Sequence, residues 1–125
     1  MQIAGIVAVA LLVVVLAFQL ALALGAPWGA AAWGGQHNGV LPTRLRIASA
    51  IAGIVAYPVI IALVLAASGL TTNWLPIDTT VVMWVLAGLL TIGALGNFAS
   101  RSARERLWGP VALAVAVCCA IIALG

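Results

Sequence analysis

Every positive side chain of this chain sits in one of two short patches, Arg44-Leu45-Arg46 and Arg101-Ser102-Ala103-Arg104-Glu105-Arg106, set between long apolar runs. That arrangement leaves no charge to cover a water-facing surface. Only 6% of the residues are charged and 66% are hydrophobic, whereas a soluble domain carries roughly a quarter charged residues. An integral membrane protein is therefore the expected class. At about 20 apolar residues per crossing, the length accommodates about four helices. The predicted fold is all-α, a four-helix transmembrane bundle forming a single domain over residues 1–125.

The runs place the spans. The first covers Ile3 to Leu24; no basic residue precedes it, and its apolar core exceeds the roughly 7–15 residues of a signal peptide, so a retained span is expected. The second covers Leu45 to Ala66, with Tyr57-Pro58 near its middle, where proline removes a helical hydrogen bond and predicts a kink. The third covers Thr80 to Asn97. The fourth opens at Trp108-Gly109-Pro110, which suits a helix start, and runs to Ile122. Alanines recur at four-residue spacing in the second span (Ala48, Ala52, Ala56) and the fourth (Ala112, Ala116, Ala120), and small residues permit close helix approach. These stripes are expected contacts within the bundle, between copies in a homo-oligomer, or with a larger membrane complex.

The connection from Gly25 to Thr43 is unusual. A few residues would join two helices, yet this segment holds Pro27, Trp28, Trp33, Gly34-Gly35 and Gln36-His37-Asn38-Gly39. Proline and glycine stop a helix, and tryptophan favours the headgroup level. An interfacial or partly re-entrant Trp/Gly-rich loop is predicted. Four spans put the first and third connections on one side, and these hold all five arginines; the second, Ser68 to Asp78, holds only Asp78. The positive-inside rule then predicts cytoplasmic arginine loops and external termini in a multi-pass cell-membrane protein.

Several function classes lack their residues. No His-x-x-x-His pair, nucleophile elbow, phosphate loop or carboxylate pair occurs, so neither an enzyme nor a cofactor or metal site is expected. Asp78 and Glu105 fall on opposite sides of the predicted topology, and no intramembrane carboxylate is present to drive proton-coupled pumping. Cys118 and Cys119 are adjacent, so their side chains point about 100° apart on a helix and read as small buried hydrophobes. The net charge of +3 is explained by anionic lipid next to the loops. Nucleic acid is not an expected partner, because no basic stripe carries it.

What remains is a set of polar groups at or near the arginine side. Gln19 interrupts the first span, and Ser49 and Thr91 at similar depth are its expected hydrogen-bond partners. The Tyr57 hydroxyl needs an acceptor on a neighbouring helix or faces a cavity. His37, Asn38, Arg44, Arg46, Asn97, Arg101 and Glu105 gather near the cytoplasmic leaflet, with an Arg101–Glu105 ion pair expected across one helical turn. The expected function is a small non-enzymatic membrane protein binding a lipid or other amphipathic molecule. Apolar walls would hold the tail, and arginine, asparagine and histidine the head. Two other classes stay open: a channel or transporter with a path past Gln19, Tyr57 and Thr91, and an accessory or scaffold subunit docking through an alanine stripe.

Overall fold

The computed structural model describes residues Met1–Gly125. Its helices are α1 (Gln2–Ala23), α2 (Thr43–Ala67), α3 (Thr79–Phe98) and α4 (Ala103–Leu124), all long and apolar enough to cross a membrane. The boundaries follow the apolar runs closely except in α4, which starts five residues before Trp108. Ser102 explains that start. Its Oγ accepts the Glu105 N–H, and Ser102-Ala103-Arg104-Glu105 has the spacing of a capping box. At the opposite end Asp78 caps α3, its Oδ1 accepting the Thr80 N–H at 2.9 Å.

Helices α3 and α4 pack most extensively on each other, while α1 lies against both α4 and α2. The common core fills the half away from the arginines. There Ala8, Leu12, Val64, Met83, Val115 and Cys119 are fully enclosed. Around this core the helices turn isoleucine, valine and leucine outward: Ile3, Ile54, Val85, Leu89, Ile92 and Ile121 are all exposed. Only 24 of 125 residues are buried, and many large apolar side chains are exposed, a far larger apolar surface than a water-soluble monomer carries.

Helix α2 carries the predicted irregularity as a π turn rather than a simple kink. Ala52–Ala56 is π-helical between two α-helical halves, and the Tyr57 N–H reaches the Ala52 carbonyl, five residues back. Pro58 lacks an N–H and its ring crowds the carbonyl four residues earlier, which favours a wider turn just ahead of it. Within the single chain the alanine stripe of α2 is not the tight contact, since Ala56 is exposed. Instead Gly53 meets α1, where an added β-carbon would lie 2.7 Å from Leu20 Cδ2. The two halves of α2 also differ in neighbours. Tyr57–Ala67 reaches α3, whereas Thr43–Ala56 makes no substantial contact with it. A gap between α2 and α3 opens at the arginine end.

The long first connection folds back over that end. Helix α1 stops in a Schellman turn, with Gly25 N–H bonded to Leu22 O and Ala26 N–H to Ala21 O. Two 3-10 turns follow, Gly29–Ala31 and Trp33–Gly35. Gly29 N–H donates to Gly39 O at 2.8 Å, which closes the segment into a loop. Ala32 and Leu41 tuck beneath it against Leu22. A side chain at Gly29 is impossible without rebuilding the loop, since a β-carbon would lie 2.5 Å from the His37 carbonyl oxygen.

Candidate functional site: a capped cavity at the arginine end

Three contacts hold the loop on the bundle, and each has a residue-level cause. The Trp33 indole N–H donates to Ser49 Oγ at 2.9 Å, and Ser49 is fully buried on α2. The Gly34 N–H donates to Glu105 Oε2 at 2.8 Å. The Ser102 hydroxyl donates to the Ala30 carbonyl. In an ordinary capping box the glutamate reaches back to the N-cap N–H. Here the Ser102 N–H takes Ser100 Oγ at 3.1 Å, which leaves the Glu105 carboxylate to take the loop. The turn is tight: Trp33 has a positive φ of 51°, an uncommon conformation for an aromatic residue. Arg46 adds a fourth tie, its Nε donating to Ala23 O at 3.1 Å at the end of α1.

Beneath this cap lies a cavity of about 460 Å³, within the roughly 300–1,000 Å³ of small-molecule sites. Leu12, Val15, Leu90 and Val115 form its apolar floor and walls. Gln19, Tyr57, Asn97 and Glu105 are its polar members, and Phe18, Trp33 and Trp108 its other aromatic ones. Along α3 it is bounded by Gly93 and Gly96, where a β-carbon would meet nothing within 4 Å. The cavity thus opens sideways beside the α2–α3 gap. Toward the other end the apolar core closes it.

Gln19 is the outlier. Its Oε1 is buried without any hydrogen-bond partner, and neither expected partner reaches it. Ser49 is engaged by Trp33, and Thr91 donates to the Ala87 carbonyl of its own helix at 2.7 Å. An unpaired buried acceptor costs about 1–3 kcal/mol, so this amide oxygen is a local cost that the fold carries.

The structure therefore brings together four of the residues singled out from sequence: Gln19, Tyr57, Asn97 and Glu105. It leaves the others outside the cavity wall. Arg44 and Arg101 are exposed, as are Asn38 and Thr91. His37 is half-buried in the loop, and Arg46 ties α1 to α2. The expected Arg101–Glu105 ion pair gives way to the Gly34 contact, and Arg106 instead donates to the Ser100 and Arg101 carbonyls at 3.0 and 3.2 Å. Reasoning from sequence missed the structural partners Trp33, Gly34, Ser49 and Ser102. The spacing of Ser102 and Glu105 was readable as a capping box; what the glutamate would hold was not. On the far side of Phe18 a second, shallower groove runs past Trp28, Leu107 and Arg104, with Phe18 stacked on Trp28 at 6.4 Å and tilted on Trp108 at 4.7 Å. Compared with known protein families, characterised proteins and solved structures, the chain matches none.

Proposed function

We propose that this is a multi-pass membrane protein, with its arginine end in the cytoplasm, that takes up an amphipathic molecule from the adjoining leaflet and holds it under the loop. The carrying observation is the cavity itself. It has apolar walls, polar members that include an orphaned amide oxygen, and an edge along Gly93 and Gly96 of α3 where space is open. A lipid or lipid-like molecule entering between α2 and α3 would meet the glycines of α3 first. The arginines act from outside, fixing orientation and attracting anionic headgroups near the loops. Binding is favoured over conduction because enclosed Ala8, Val64, Met83 and Cys119 fill the half beyond the cavity.

The test fills the mouth. Gly93 borders the cavity with open space around it, so Gly93→Leu should fold and project into the opening. Native mass spectrometry of protein purified with its lipids should find a retained amphipath in the unmodified chain and little in the variant. Equal retention by both would remove this reading.

A further inference from the structure

We infer that the cavity selects molecules whose polar end is an ammonium group, a step that deepens the binding reading above and rests on it. Two of its polar members are acceptors that the protein leaves wholly or partly without donors. Gln19 Oε1 has none. Glu105, only 7% exposed, meets a single protein donor, the Gly34 N–H. One backbone N–H satisfies a lone pair but does not neutralise a carboxylate, and buried charges are ordinarily paired.

No arginine side chain bonds to the Glu105 carboxylate. None of the arginines borders the cavity; Arg46 is engaged with Ala23, and Arg106 with the Ser100 and Arg101 carbonyls. The complementary positive charge is left to the ligand. Phe18, Trp33, Tyr57 and Trp108 also line the cavity, and aromatic faces attract ammonium groups. A carboxylate, an orphaned amide oxygen, aromatic rings and an apolar floor together describe an alkylammonium. An anionic head would instead set a like charge beside Glu105, with no arginine on the cavity lining to offset it.

The experiment uses the full chain in nanodiscs of neutral lipid, with empty discs as the blank. Octylammonium, octanol, octyl sulfate and octylphosphocholine are titrated, and tryptophan quenching is read, since Trp33 and Trp108 border the cavity. The ammonium should bind saturably and about tenfold or more tighter than octanol or the sulfate. Glu105→Gln retains an acceptor for Gly34 and should bring the ammonium down to the level of octanol. Octylphosphocholine binding like the ammonium would identify a choline lipid as the source, and its exclusion would identify a free amine; either supports the assignment. Equal binding of all heads, a preference for the sulfate, or an unchanged affinity in a folded Glu105→Gln protein would overturn the ammonium assignment while leaving the cavity as a binding site. No saturable binding of any of the four would overturn both. If Glu105→Gln fails to fold, the head-group series on the unmodified chain decides alone.

Discussion

Single atoms carry most of what is distinctive here. Gln19 Oε1 is enclosed without a partner, so replacing it with an apolar side chain removes a burden rather than a support. Gln19→Leu should raise the melting temperature in detergent, reflecting recovery of about 1–3 kcal/mol, while weakening ligand binding. A fall in melting temperature would mean the amide has a structural partner. The Trp33–Ser49 contact makes the opposite prediction. Trp33→Phe keeps the ring but leaves the fully buried Ser49 hydroxyl without its donor, and it keeps the positive φ that the contact helps to hold. Amide exchange across residues 29–41 should therefore quicken. Neither the orphan nor its would-be partners was assignable from sequence, because depth along a helix says nothing about which face turns toward which neighbour. Ser49 and Thr91 lie at suitable depths, yet each finds a nearer partner.

Among the elements, α2 and the loop decide the cavity. A π turn holds one more residue than an α turn, so Ala52–Ala56 acts as a one-residue insertion that sets the packed faces above and below it. Deleting the exposed Ala56 should let the segment regularise with Gly53 still on Leu20 and Val64 still in the core. Deleting Leu63 instead would rotate the rest of the helix by about 100° relative to its neighbours and should abolish the folded protein. Thermal melts of the two deletions in detergent separate these outcomes. The loop is equally specific. Gly29→Ala drives a β-carbon into two backbone carbonyls that cannot give way, and should release the cap without unfolding the helices, seen as protease cleavage near Trp33 with circular dichroism unchanged. Pro58 announced an irregular α2 in the sequence. The π form, the close approach of Gly53 to Leu20 and the missing contact between Thr43–Ala56 and α3 are tertiary outcomes that no local pattern contains.

For the whole molecule, the arginine patches and the exposed aliphatic surface set the expected placement in a bilayer. Cysteines introduced at positions 44 and 104 should label from the cytoplasmic side and one at 73 only from outside; opposite labelling of 44 and 104 would contradict the fold as well as the topology. Helix α3 leaves Gly88 with nothing within 4 Å of a β-carbon, so Gly88→Ala should leave the single chain as stable or stabilise it by about 0.5–1 kcal/mol. Loss of stability together with loss of an oligomer in cross-linking would instead place α3 between copies. Composition and the spacing of apolar runs were enough to determine four helices, their approximate limits, the shared end of the arginine patches and the odd character of the first connection. These follow from solubility, which acts residue by residue along the chain. Tertiary structure alone decided that Glu105 holds the loop instead of Arg101, that Gln19 stays unpartnered, and that a cavity opens between α2 and α3. Those outcomes depend on which side chains from distant segments meet, and helices apolar on every face carry no polar–apolar pattern in their sequence to declare it.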